Sequence, residues 1–399
     1  MQNLKIERMD HQGRGIAFLD GKITFIPNTL VGEEVEAEII ENHKNYNVAK
    51  LNEIKLKSSK RVESDCKYFK SCGGCALRNL KYEDTLLYKK DKVINILNLN
   101  KINYPDIKII ENECKNNYRN KVTFKIVNKE IGLFREDSHD LVEINECLLA
   151  NNVINKVLKV LPELNIINGE VVVRVNYNDE VLIIINTLDK IDFKIDIFKD
   201  IKLVGIVVNN KTIYGDNFFY ERINNSLFKV SYDAFFQVNP FITKKLFEII
   251  NNCVKEDFKV LDLYSGVGTL SIIASKKARL VYSVEVVKNA VLDAIFNCKL
   301  NKVNNIKSFL GKTKDVVNKI TEDFDLVIVD PPRSGIEKET LDVIMNNNIE
   351  NMVYVSCDPL TLARDLKTLQ DKYEIEEFSI LDMFSYTYHI ECICVLKLK

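Results

Sequence analysis

The sequence predicts a multidomain α/β protein. A small N-terminal β-barrel is expected over residues 1–57, a central α+β domain over 58–236 and a C-terminal Rossmann-like domain over 237–399. Three observations predict it. The chain has 399 residues, more than one ordinary domain holds. Short strand-like runs split by turn residues fill the first segment. From about residue 237, helical runs alternate with short buried apolar runs, the pattern of a doubly wound parallel sheet.

At the N-terminus, Gly13-Arg-Gly15, Asp20-Gly21, Pro27-Asn28 and Gly32-Glu33 separate apolar runs such as Ile23-Thr-Phe-Ile26. Strands at that spacing suggest a small barrel. Residues 55–65 read as a linker. A cysteine cluster follows, and residues 82–98 then carry helical spacing at Leu86, Leu87, Val93, Ile94 and Leu97. From 118 to about 230 the pattern is strand-like, with runs at 171–175, 181–185 and 203–208. In the last domain, strands are expected at 259–263, 280–285, 326–330 and 352–356. Two more, near 376–382 and 391–397, lie too close together for a parallel crossover, so at least one should be antiparallel.

Composition is that of a soluble globular protein, with 46% hydrophobic and 28% charged residues. No apolar run approaches a membrane span, and the N-terminus lacks the shape of a signal peptide. Ten cysteines in that context point to a reducing cytoplasm, and to metal or catalytic use before disulfides. A net charge of −1 gives no global support for a nucleic-acid partner. Two local stretches do: Lys44, Lys50, Lys55, Lys57, Lys60 and Arg61, then Lys115, Arg119, Lys121, Lys125, Lys129 and Arg135. Solvated surface charge explains them equally well.

Val260-Leu-Asp-Leu-Tyr-Ser-Gly-Val-Gly-Thr-Leu-Ser271 reads as strand, glycine turn and helix start. Gly266 and Gly268 allow close approach of a ligand to the backbone. Glu285 falls at the end of the next strand, where a carboxylate can hold ribose hydroxyls. A nicotinamide site wants a third glycine where Ser271 stands. Asp262 before the turn suits an S-adenosylmethionine site instead, while another nucleotide binder or an ordinary turn stays open.

Asp330-Pro-Pro-Arg333 and Ser356-Cys-Asp-Pro359 each follow an apolar strand, where ligands sit in such sheets. Arg333 stands where amino-methylating enzymes carry an aromatic, which argues against attack by an amino group. Cys357, before a turn set by Asp358-Pro359, is the candidate nucleophile, with its thiol pKa expected to be lowered. Cys253, Cys298, Cys392 and Cys394 sit in apolar patterns and read as core. Glu391, two residues after His389, is the candidate base. A methyl donor, a thiol and a base are what methylation of a pyrimidine carbon requires: addition to C6 activates C5, and a base removes the C5 proton. The base must also leave its stack.

With these residues assembled, the chain resembles the bacterial uracil-5 RNA methyltransferases. It is most similar to the 23S ribosomal-RNA branch, which carries a TRAM domain and an iron–sulfur cluster. Asp10-His-Gln-Gly-Arg-Gly-Ile-Ala17 and Phe25-Ile-Pro27 look like the TRAM barrel, an OB-like RNA-binding module. The resemblance implies that Gln237 in Phe235-Phe-Gln-Val-Asn239, with Tyr264, Gly266, Gly268, Thr269, Glu285 and Asp330, lines an S-adenosyl-L-methionine site. It implies Cys357 as nucleophile and Glu391 as base. The final motif, Phe384-Ser-Tyr-Thr-Tyr-His-Ile-Glu391, departs from the family, where many members have Pro-His before the Thr.

Cys66, Cys72 and Cys75 offer compact thiol spacing, and four thiolates suit zinc or an Fe–S cluster alike. The resemblance adds the distant Cys147 as fourth ligand and points to [4Fe-4S]. It further implies an RNA partner, 23S rRNA before tRNA. A monomer is the default expectation. Cytosine-5 methylation and a non-catalytic RNA-binding factor are the alternatives. Cytosine-5 enzymes usually carry a second Cys near the Pro motif, and none occurs in Asp330-Pro-Pro-Arg-Ser-Gly335.

Overall fold

The computed structural model describes residues 1–191, 194–317, 320 and 322–399. Strands β1 (Gln2–Lys5), β2 (Arg8–Met9), β3 (Gly15–Leu19), β4 (Lys22–Ile26), β5 (Glu34–Asn42) and β6 (Tyr46–Leu56) form one sheet in the order β1-β5-β6-β4-β3-β2. The two ends of that order, β1 and β2, are consecutive pieces of one segment, so the sheet curls until its ends meet in the chain. At the bend, Ile6 N donates to Glu33 O and Glu7 N to Ile16 O, both at 2.9 Å. Register shifts between β5 and β6 supply curvature. Leu4, Ile6, Ile26 and Val35 fill the inside, with the small Ala17, Ala37 and Ala49 between them.

After the linker come α1 (Tyr82–Leu99) and β7 (Ile107–Ile110). The central sheet then uses β8 (Lys121–Val127), β9 (Glu130–Phe134), β10 (Leu141–Glu143), β11 (Gly169–Val175), β12 (Glu180–Thr187), β13 (Lys202–Val208) and β14 (Lys211–Gly215). Their order is β10-β9-β8-β11-β12-β13-β14, antiparallel except for β12 with β13. Helix α2 (Asn152–Val160) packs on it through Ile154, Val157 and Leu158. A hairpin of β15 (Phe218–Ile223) and β16 (Ser226–Ser231) leads to α3 (Pro240–Cys253).

The C-terminal part runs β17 (Lys259–Leu263), α4 (Thr269–Ala274), β18 (Leu280–Glu285), α5 (Lys288–Leu300), β19 (Ile306–Leu310), α6 (Thr313–Val317), β20 (Leu326–Val329), α7 (Lys338–Asn346), β21 (Asn351–Ser356), α8 (Pro359–Leu369), β22 (Tyr373–Leu381) and β23 (Glu391–Leu398). The sheet order is β19-β18-β17-β20-β21-β23-β22-β7. The first five strands are parallel, and β23 runs antiparallel to both β21 and β22, in line with the short connection between the last two strands. The eighth strand, β7, comes from far upstream and pairs parallel to β22. Helix α1 follows it: Val93, Ile96 and Leu97 share one apolar cluster with Leu261, Val329 and Tyr354. Packing therefore joins α1 and β7 to the C-terminal sheet, although they precede residue 237. Among the described residues, no helix is long and apolar enough to cross a membrane.

Candidate active site

Strand β17 delivers the glycine loop to the carboxyl edge of the parallel strands. Tyr264, Gly266 and Gly268 all adopt positive φ, at 63°, 55° and 81°. A Cβ on Gly266 would meet nothing within 4 Å, so that face is open to a ligand, whereas one on Gly268 would sit 3.1 Å from Ala294 Cβ. The first glycine serves approach and the second serves helix packing. Thr269 opens α4. Glu285 accepts from Gly266 N at 2.9 Å through Oε2, and from Val286 N and Val287 N at 2.8 Å through Oε1. Those bonds fix its carboxylate beside the loop, and Oε2, which accepts only one of them, keeps a further lone pair for a ligand hydroxyl. Ser271, in place of a third glycine, donates to buried Asp262. Burial pushes Asp262 up to about 7 against that bond, and the charge at Asp330 adds to the rise.

The thiol and carboxylates converge through register. Val329 pairs with Tyr354, and Ser356 pairs with Cys392 on the antiparallel neighbour. The residues that follow or precede those pairs, Asp330, Cys357 and Glu391, thus meet at one end of three adjacent strands. Asp358 caps α8, accepting from Leu360 N at 2.8 Å, and Pro359 starts that helix. Asp-Pro therefore ends the strand sharply after Cys357, whose side chain is half-buried. Arg333 is exposed, with its carbonyl accepting from Thr361 Oγ1 at 3.1 Å. Gln237 Nε2 reaches Asp330 Oδ2 at 3.5 Å, which brings the upstream Phe-Phe-Gln-Val-Asn string to the same place.

The expected lowering of the Cys357 pKa is not found. Burial pushes the thiol up to about 11, the negative charge of Glu391 adds to the rise, and Arg333 opposes it. Burial and the charge of Asp330 raise Glu391 well above the carboxylate range. Packed protein also pushes Asp330 up to about 7. His389 is held down to about 4 by burial and by Arg333, so it is neutral near pH 7.

Several residues that position this site were not singled out in the sequence. Lys89 and Asp382, both fully buried, pair at 2.6 Å, and Lys89 Nζ also donates to Phe384 O at 2.9 Å. Tyr82 and Ser385 hydroxyls donate to Asp382 Oδ2, and Asn112 Nδ2 donates to Ser385 Oγ. The departure at Ser385-Tyr386 is thereby accommodated: Ser385 joins this network, and Tyr386 lies 4.5 Å beneath the Arg78 guanidinium. Arg174 Nη1 donates to the carbonyls of Ser231, Tyr232 and Ala234, which fixes the approach to Gln237. Asn239 caps α3 and donates to Met383 O at 3.1 Å. The only sequence signal among these was Asn-Pro at the start of a helix.

Cys66, Cys72, Cys75 and Cys147 line one cavity of about 300 Å³, together with Arg78 and Arg119. All four are free thiols. Burial pushes Cys72 up to about 11, and the neighbouring Cys147 and Cys66 add to it. Gly74 N donates to Cys72 Sγ at 3.4 Å. Among the described residues, no group of three or more His, Cys, Asp or Glu is drawn together tightly as an ion cage. Four sulfurs facing one cavity nonetheless form a donor set that fits a four-thiolate centre. The first basic stretch is largely paired: Lys57 with Glu63, Lys60 with Asp84, Arg61 with Glu33, and Lys55 with Glu36 and Glu53.

A parallel sheet with an antiparallel last strand, a glycine loop after its first strand and motif residues at its carboxyl edge define a methyltransferase fold. The chain belongs to the tRNA (Uracil-5-)-methyltransferase family, whose family model matches residues 81–399, and the TRAM domain model matches residues 1–51. It is 31% identical to an "Uncharacterized RNA methyltransferase" of Listeria innocua over 99% of this chain and 97% of the relative. It is 35% identical to one of Caldanaerobacter subterraneus, over 98% and 97%. The fold is similar, with a TM-score of 0.83 and 25% identity, to the Pyrococcus abyssi tRNA (uracil-54, C5)-methyltransferase in complex with S-adenosyl-L-homocysteine, covering 99% of each chain.

Proposed function

We propose that this enzyme methylates carbon 5 of a uridine in 23S ribosomal RNA, using S-adenosyl-L-methionine and a covalent Cys357 adduct. The observation that carries the reading is the convergence of Cys357, Glu391 and Asp330 at the ends of β21, β23 and β20. Gln237, Tyr264, Gly266, Gly268, Thr269, Glu285 and Asp330 hold the donor, which supplies the methyl group. The Cys357 thiolate adds to C6, and the electron pair moves through C5 to the C4 carbonyl. C5 would then take the methyl group as its bond to the sulfonium breaks, leaving the thioether S-adenosylhomocysteine. Glu391 accepts the C5 proton, and the released pair expels Cys357. Arg333, which favours the thiolate, faces the same charges. A sulfonium cation bound near Asp330 and Glu391 offsets the repulsion that holds the thiol protonated in the free enzyme.

Residues 1–57 serve as the RNA-binding TRAM barrel, 58–236 as the cysteine-bearing middle, and 237–399 as the catalytic domain. The protein acts in the cytoplasm as a monomer. Cys66, Cys72, Cys75 and Cys147 hold a [4Fe-4S] cluster with a structural role. A direct tie supports that role: Leu77 N, two residues after Cys75, donates to Tyr386 O at 3.0 Å, next to the catalytic loop. The TRAM domain with four cysteines favours ribosomal RNA; the full-length likeness to a tRNA enzyme favours tRNA as the second reading. Nucleoside mass spectrometry on both RNAs, from cells with and without the gene, tests the choice. Loss of 5-methyluridine from large-subunit RNA alone is expected. Loss from tRNA alone would move the substrate, and no loss from either, without a redundant enzyme, would overturn the assignment.

A further inference from the structure

Four side chains on the N-terminal sheet make a ladder that its core does not use. His43 stacks on Tyr46 at 4.5 Å, Tyr46 meets Phe25 edge-on at 5.7 Å, and the Arg14 guanidinium lies 4.6 Å from the Phe25 ring centre. Tyr46 is 38% exposed and His43 is exposed as well. Neither belongs to the apolar cluster that fills the sheet, nor does Phe25. The ladder thus lies on the outer face, where aromatic rings lose hydration without burying core area. Arg14 is oriented by Asp10 at 2.7 Å, so its plane is presented to Phe25 while its charge is partly balanced. Glu41 ties the His43 ring at 2.7 Å.

Polar contacts tie the Arg14 end of the ladder to neighbouring elements. Tyr88 of α1 donates to Asp10 O at 2.6 Å and so clamps the Arg14 turn to the catalytic body. Arg14 also reaches Asp137 at 3.8 Å. We propose that His43, Tyr46, Phe25 and Arg14 form a stacking platform for unpaired RNA bases flanking the target nucleotide. Aromatic faces interleaved with guanidinium planes take bases of any sequence once these are unstacked, and a duplex offers them no free base face. The target base must leave its stack to reach Cys357, so its neighbours are unstacked beside it. This inference rests on the proposed function for its RNA partner, and its test does not depend on turnover.

The test is equilibrium binding of full-length protein to a fluorescent single-stranded RNA of roughly 12 nucleotides centred on uridine, within the range of such sites. A hairpin with the same sequence fully paired serves as the comparison. Phe25→Ala and Tyr46→Ala are each expected to weaken single-strand binding by about 5- to 100-fold, the effect of losing one base–aromatic stack. Hairpin binding and the melting temperature should not move, and Phe25→Tyr should retain binding. An abasic sugar beside the uridine should weaken the wild type and leave Phe25→Ala unaffected. Unchanged binding, equal loss on both RNAs, or loss that Phe25→Tyr does not spare would overturn the platform. A wild-type protein that binds in this pattern but makes no 5-methyluridine would sink the functional reading and leave the platform standing.

Discussion

Cys357 sits among negative groups, and its reactivity should report them. The thiol is raised from 9.0 to about 11, so at neutral pH the free enzyme holds it protonated. Alkylation of Cys357 should therefore accelerate by about one decade per pH unit up to about pH 10 without a plateau. Glu391→Gln removes one contributor and should lower the thiol only part of the way, because burial, the larger cause, remains; an unmoved profile would detach Glu391 from the thiol. The same variant should accumulate an RNA adduct, because the C5 proton has no acceptor. Cys357→Ala should lose turnover and 5-fluorouridine trapping while still binding the donor, measured by calorimetry; retained turnover would refute the nucleophile. Cys357 and Glu391 could be picked out as candidates because each lies in a short local string. The direction of the thiol shift was not legible, since it arises from burial and from Glu391 across the strand pair.

At the scale of elements, the loop from β22 to β23 is held by one buried ion pair. Lys89 and Asp382 are 293 residues apart in the sequence, and no local pattern marks either. Helix α1 was readable from its apolar spacing, but a Lys on its buried face reads as surface until the partner strand is in place. Lys89→Met strands a buried carboxylate and should cost about 3–5 kcal/mol in urea unfolding. Adding Asp382→Leu should recover most of that, because no unpaired charge remains; failure to recover would point to the lost bond at Phe384 O or to the Tyr82 and Ser385 hydroxyls left without their acceptor. The sign with pH follows from Asp382, which lies below its ordinary value because Lys89 and its hydroxyl donors outweigh its burial. Its contribution is present above the unfolded value and lost only as pH falls through the lower folded one. Wild type minus double variant should thus shrink only below about pH 4, which an acid titration of the urea midpoint reads.

The whole molecule is divided differently in sequence and in space. Patterning placed the boundaries near 57 and 237; the alternation of helix and strand after 237 predicted a parallel sheet, and the short link between the last two runs predicted an antiparallel strand in it. What patterning could not carry was β7, a four-residue strand whose partner β22 lies at the far end of the chain. Non-local pairing leaves no periodic trace in so short a run. The apolar clusters make the consequence testable. One unites Val93, Ile107 and Phe378, and another unites Leu182, Phe228 and Val355, so both cross residue 237. The N-terminal sheet instead keeps its own core, and polar ties join it to the rest, such as Arg61 with buried Glu33 and Tyr88 with Asp10. A chain of residues 58–399 should therefore unfold cooperatively and bind S-adenosylhomocysteine within about twofold of the full protein, because the ties it loses lie away from the glycine loop. Residues 237–399 alone would expose the faces that α1, β7 and the central sheet cover, and should aggregate. Calorimetry and size exclusion on the two fragments decide it: a soluble, ligand-binding 237–399 would show that the upstream strand is an ornament of the catalytic sheet and not part of its core.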